Sequence, residues 1–155
     1  MILDDLDLQI LQKLSEDGRR SLRSLAEDLD KSPTTIKKHL DELETNGYIK
    51  GYGASLNYSK LGYTEIALIE LTIDKGKMLE IEMKISNNPH VFGVFDVTGE
   101  YDAVILARFK TKKELSELIK EINSVEFVLR TNTHIILNVI KDGLDFTRLI
   151  EQETK

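Results

Sequence analysis

Apolar positions in the first sixty residues recur at spacings of three and four. Leu3, Leu6, Ile10 and Leu14 form one such series, widened by Leu8 and Leu11, and predict an amphipathic helix. Asp4, Asp5 and Asp7 fall in its first turn, where the helix dipole favours anions, and Gly18 ends it. Leu22, Leu25, Ala26 and Leu29 mark a second helix, with Ser21 as its N-cap. Ser32 caps a third, in which Pro33 at the first position lacks only an N–H that would be unpaired there. That helix turns Ile36, Leu40 and Leu43 inward and closes at Asn46-Gly47. The stretch from Tyr48 to Asn57, with Gly51 and Gly53, reads as a short hairpin or strand.

The period changes after residue 60. Residues 64–74 are an apolar run long enough for a buried strand. Residues 77–86 are helical, with Met78, Leu79, Ile81, Met83 and Ile85 apolar, and Asn87-Asn88-Pro89 stops them. Residues 91–98 and 103–109 are strands joined at Gly99-Glu100-Tyr101. Residues 112–122 are a helix with Leu115, Leu118, Ile119 and Ile122 on one face, and 127–140 form a last strand. The pattern leaves the tail after Gly143 open. The predicted fold class is α+β: a winged helix-turn-helix domain over residues 1–60, then a ferredoxin-like βαββαβ domain over 61–155.

In such a domain both helices cover one face of the sheet, and a solvated second face would be polar. Here Ile66 and Leu68 alternate with Ala67, Ile69 and Leu71, and Val104 and Leu106 oppose Ile105 and Phe109. Simple alternation likewise sets Phe92 and Val94 opposite Val91 and Phe95. Both faces are apolar, which predicts a homodimer packed sheet on sheet.

Composition narrows the function. No apolar stretch approaches the roughly 20 residues of a membrane span, and the start, Met1 to Asp5, has no basic region of a secretory signal. A cytoplasmic protein with no membrane partner is expected. There is no cysteine, and the three histidines, at 39, 90 and 134, make no close metal-binding pair, so no metal site is expected. An acylphosphatase-type enzyme would need an Arg and an anion cradle after the first strand, and Asp74-Lys75-Gly76-Lys77 supplies neither. No catalytic residues are assigned.

The net charge of −6 argues against holding nucleic acid by bulk positive charge. A local surface remains. The outward face of the third helix carries Thr34 and Thr35 at its start, short enough to approach base edges, then Lys37 and Lys38 within reach of phosphates. The helix start at Ser32-Pro33 offers N–H groups to a phosphate. Arg19, Arg20 and Arg23 lie at the entry to the second helix, placed for backbone contacts. Asp41, Glu42 and Glu44 would repel phosphate, so only the first half of the helix is expected to meet double-stranded DNA.

Several segments taken together resemble the Lrp/AsnC, or feast/famine, transcriptional regulators over essentially the whole chain. They are Leu3 to Leu11, Asp17-Gly18-Arg19, Ser21 to Ala26, Ser32 to Ile36, Leu43 to Ile49, Asn57 to Gly62, and Thr98-Gly99-Glu100-Tyr101-Asp102. The chain departs from the family at His39, where the family often has Arg, and at Asp41 and Glu42, near which it has basic residues. The resemblance implies a sequence-specific regulator whose assembly or DNA affinity responds to a small molecule, an amino acid bound between dimers. It implicates Gly99, Tyr101 and Asp102, with Thr133, His134, Ile135 and Ile136, in holding that effector. It also implies dimers assembling into tetramers or octamers, and no cofactor beyond the effector. The residues themselves suggest that the carboxylates of Asp96, Glu100 and Asp102 could take an α-ammonium, and hydroxyls such as Thr131 or Thr133 a carboxylate. The competing reading is an architectural protein that compacts DNA without a specific effector.

Overall fold

Three helices open the chain, each begun by its own cap. A computed structural model describes residues 2–74, 76–141 and 149–150. α1 (Asp5–Glu16) starts at Asp4, whose carboxylate accepts the Asp7 N–H at 2.8 Å while Asp7 accepts the Asp4 N–H at 3.0 Å. This reciprocal cap satisfies N–H groups that a helix start leaves without partners. α2 (Leu22–Asp28) is capped by Ser21, and α3 (Pro33–Thr45) by Ser32, with Pro33 in the first turn. α3 ends at Asn46, and Gly47 follows at φ +75°, a conformation that favours glycine. Ile10, Leu25, Ala26, Ile36 and Leu43 are buried together, with Leu6, Leu14, Leu29, Leu40 and Ile49 packed around them.

The hairpin or strand expected between Tyr48 and Asn57 does not form. No strand is assigned there among the described residues. A strand exists only against a neighbouring strand, and none is paired with this exposed segment among the described residues. The Tyr48 and Ile49 N–H groups instead turn back to the Leu43 carbonyl and finish α3.

One compact unit of the chain runs to Ser55, and another from Leu56 to Lys141. The second contains β1 (Glu65–Ile73), α4 (Met78–Ser86), β2 (Val91–Asp96), β3 (Ala103–Phe109), α5 (Lys112–Asn123) and β4 (Val128–Ile135). The strands lie in the order β2-β3-β1-β4, all neighbours antiparallel, which is the ferredoxin-like arrangement. Ala67, Ile69, Leu71 and Ile73 of β1 join Ala103, Ile105, Ala107 and Phe109 of β3 under Ile81 and Ile85 of α4 and Leu115, Leu118 and Ile122 of α5. Leu79 and Met83 point away from this core and are exposed.

Two details of the sheet correct the simple pattern. A bulge between Val91 and Gly93 resets the alternation of β2. Val91 and Val94 therefore share the helix-covered side, and Phe92 and Phe95 share the other. Gly93 makes room for this, since a Cβ there would lie 2.6 Å from the Phe95 ring. The last strand also ends at Ile135 rather than 140. Its one neighbour is β1, whose pairing runs out when the Ile136 N–H reaches the Ile66 carbonyl. The tail after Gly143 lies almost wholly outside the described residues. No helix among the described residues is long and apolar enough to cross a membrane.

Candidate nucleic-acid interface and effector region

Burial of Ile36 and Leu43 decides which side of α3 faces out. Thr34, Lys37, Lys38, Asp41, Glu42, Thr45 and Asn46 line one shallow outer surface. At its start the Ser32 hydroxyl accepts the Thr35 N–H at 3.1 Å and lies 2.8 Å from the Thr35 hydroxyl. Thr35 is thus spent on the cap, and Thr34 is the exposed threonine of the pair.

The cations of this surface all carry acidic partners. Lys37 Nζ lies 2.9 Å from both oxygens of Asp41, which raises the Lys37 pKa above its ordinary value. Lys38 sits 3.9 Å from Glu42, and Arg23 donates to Glu27 at 3.0 Å. Arg19 pairs with Asp17, while Arg20 bonds Asp28 and approaches Glu16 at 3.9 Å. Asp41 and Glu42 therefore do more than repel phosphate. They pair with the ammonium groups of Lys37 and Lys38, and their i,i+4 spacing was the sequence signal for this. Glu44, in turn, accepts the Tyr52 hydroxyl at 2.8 Å. Although the ring is half exposed, partial desolvation of its hydroxyl, with that bond and the Glu44 charge, pushes the Tyr52 pKa up to about 12.

The uncovered face of the sheet divides in two. Leu68, Val104, Leu106, Phe92 and Phe95 make an apolar half, with Phe92 54% and Phe95 52% exposed. The Arg108 guanidinium lies 5.2 Å from the Phe92 ring and 5.0 Å from that of Tyr58. The polar half pairs Glu70 with Asn132 and Thr72 with Arg130 across β1 and β4. Glu70 Oε2 is 2.8 Å from Asn132 Nδ2 and 2.9 Å from His134 Nε2, and these bonds hold its carboxyl below the ordinary range. Sequence reasoning missed Glu70 and Asn132 here, since pairs 62 and 64 residues apart leave no local signal.

The residues implicated in effector binding fall into two groups within one chain. Gly99, at φ +124°, opens the β2–β3 turn. Tyr101 lies under the Arg130 guanidinium at 5.3 Å, and Arg130 also bonds Glu100 at 3.1 Å. Asp102 closes the end of the sheet: its Oδ2 accepts the Ile73 N–H at 2.9 Å and its N–H donates to the Leu71 carbonyl at 2.8 Å. One oxygen expected to take an ammonium is thus already bonded. Thr133, His134, Ile135 and Ile136 lie further along β1, beside Ile69 to Ile66. Thr133 shares the helix-covered side with Ile69, whereas His134 is on the open side with Leu68. The Thr131 hydroxyl bonds Asn123 of α5 at 2.9 Å and so is committed within the fold.

A winged helix-turn-helix DNA-binding model matches residues 3–50, and the Lrp/AsnC ligand binding domain matches residues 66–145. The chain belongs to the Lrp/AsnC family. Its relatives include an HTH-type transcriptional regulator of Pyrococcus furiosus, 41% identical over 92% of this chain and 96% of its own. The regulator Ptr1 of Methanocaldococcus jannaschii is 32% identical over 92% of this chain and 97% of its own. A transcriptional regulator of Neisseria meningitidis, solved as a complex with L-Met, superposes with a TM-score of 0.84 at 28% identity over 94% of this chain and 96% of the other. AsnC of E. coli shares the fold, with a TM-score of 0.85 at 23% identity over 93% of this chain and 98% of the other. This Lrp/AsnC protein is a DNA-binding transcriptional regulator and not an enzyme.

Proposed function

We propose that this Lrp/AsnC regulator acts in the cytoplasm as a homodimer that reads a pseudo-palindromic DNA site. The observation that carries the dimer is the apolar half-face of the sheet, where Phe92 and Phe95 are more than half exposed. At about 25 cal/mol per Å², covering these rings together with Leu68, Val104 and Leu106 contributes several kcal/mol per partner before association costs. Two copies joined in this way present two α3 helices, and their separation sets the spacing of half-sites. Thr34 and the Ser32-Pro33 helix start meet the DNA first, with Lys37, Lys38, Arg19 and Arg23 on phosphates. Thr35 acts through the cap.

An amino acid bound between dimers shifts assembly or DNA affinity, as tetramers or octamers form or separate. The L-Met complex of the Neisseria relative supports this ligand class. Within one chain, Gly99-Tyr101-Asp102 and Thr133 to Ile136 lie beside different stretches of β1, on opposite sides of that strand, and a site between dimers would join them across copies. An effector must bind one assembly state more tightly than another to have any effect. A thermal-shift screen of the twenty amino acids tests this: a ligand raises the unfolding midpoint by mass action. No shift with any of them would reject an amino-acid effector. Gel-shift competition with unrelated DNA tests the reader. A specific regulator keeps roughly 10³-fold preference or more for its operator, whereas a compacting protein keeps almost none.

A further inference from the structure

Asp7 is the one charged residue buried among the described residues, at 2% exposure. Its Oδ2 accepts the Asp4 N–H, and its Oδ1 lies 2.7 Å from His39 Nδ1. Asp7 is on α1 and His39 on α3, 32 residues apart. The His39 side chain is 17% exposed, and Asp4 Oδ1 lies 3.9 Å from the same nitrogen. We infer that Asp7 and His39 are a positioning pair: the imidazole N–H, donating to the buried carboxylate, sets the rotation and height of the DNA-reading helix against α1.

The argument rests on directionality. The apolar contacts of Ile10, Ile36 and Leu43 bury area, but they tolerate sliding and rolling of one helix on the other. A hydrogen bond does not, since it weakens steeply beyond about 3.2 Å or away from linearity. Asp7 is itself locked by the reciprocal cap with Asp4, so it is a fixed reference point. His39 lies one helical turn beyond Thr35 and directly after Lys37-Lys38, on the side of α3 turned toward α1. Loss of the donor would leave a buried carboxylate short of a partner, and rotation of α3 to relieve it would move Thr34 and both lysines together. Metal binding is a poorer account of the same cluster. The ligand atoms of Asp4, Asp7 and His39 come within 4.8 Å of one another, but the cap bonds and the imidazole already engage Asp4 Oδ1 and both oxygens of Asp7.

The inference rests on the reading of α3 as the recognition helix, and the test separates the two. A duplex is first selected from a randomised pool by the unaltered full-length chain, and its affinity is compared with that of a scrambled duplex. His39→Leu, checked as folded by circular dichroism at the assay temperature, is expected to lose roughly tenfold in the ratio of selected to scrambled affinity. A stability defect alone would lower the melting temperature and leave this ratio unmoved in folded protein. His39→Asn, whose amide nitrogen sits close to the place of Nδ1, is expected to recover most of the ratio. If His39→Leu does not fold, Asp7→Asn serves instead, since it keeps the shape and removes the charge, and a smaller fall in the ratio is expected. An unchanged ratio in a folded variant overturns the positioning role. Failure of the unaltered chain to select any duplex overturns the recognition-helix reading, and the inference with it.

Discussion

In the proposed reading of α3, each lysine on its outer face exchanges a carboxylate for a phosphate when DNA arrives. Lys37 would leave Asp41 and Lys38 would leave Glu42, and exposed pairs of this kind are weak because solvent screens them. Asp41→Asn is therefore expected to tighten DNA binding by roughly two- to threefold at low salt. Lys37→Ala should weaken it and lower the dependence of log affinity on log salt by about one. Titration of binding at several salt concentrations checks both. In the second unit, burial pushes the Glu82 carboxyl up to about 7, aided by its bond to Asp96 and that residue's charge, and Glu82 Oε1 has no hydrogen-bond partner among the described residues. Between the ordinary carboxylate range and that value, the folded chain holds a proton that the unfolded chain releases. Stability contributed by this group therefore falls as pH rises through that window, and the full penalty stands above it. Glu82→Gln should raise the melting temperature at pH 8 and change it little at pH 5, as thermal unfolding at the two pH values would show.

Helices in this chain are made by caps and periodicity together. Asp4, Ser21, Ser32 and Thr111 each accept a backbone N–H at a helix start. The starts at Ser21 and Ser32 were legible because cap, spacing and apolar stripe agree, whereas the pattern placed Asp4 inside the first turn and did not single out Thr111. Ser32→Ala is expected to cost about 1 kcal/mol of stability and to free the Thr35 hydroxyl. Denaturant unfolding gives the first effect, and a renewed selection of DNA sequences shows whether base preference follows. Strands were less legible at their ends. A helix carries its hydrogen bonds within itself, whereas a strand ends where its neighbour does. That is why residues 136–140, apolar enough to continue β4, fall outside it. It is also why the stretch from Tyr48 to Asn57, read as a hairpin or strand from its glycine spacing, forms none. The bulge at Val91–Gly93 is a third case, since one inserted residue reverses every side chain after it.

At the scale of the whole molecule, the uncovered sheet face is where the monomer is least complete. Phe95→Asp, placing a charge in the middle of the apolar half, should convert dimers to monomers and cost more than tenfold in affinity for a two-half-site duplex. Light scattering and gel shift read the two effects. Dimers that persist would place the contact elsewhere. The order of the helices and of the four sheet strands, the caps at Ser21 and Ser32 and the excess of apolar side chains on the second face were settled by the sequence, because each is a property of neighbours a few residues apart. Side-chain partnerships across the fold were not. The Asp7–His39 bond, the Glu70–Asn132–His134 cluster and the commitment of Asp102 to the Ile73 N–H join residues 29 to 64 positions apart. Only the packed chain decides these, because a side chain finds its partner through the register of strands and the rotation of helices, which no local run of residues encodes.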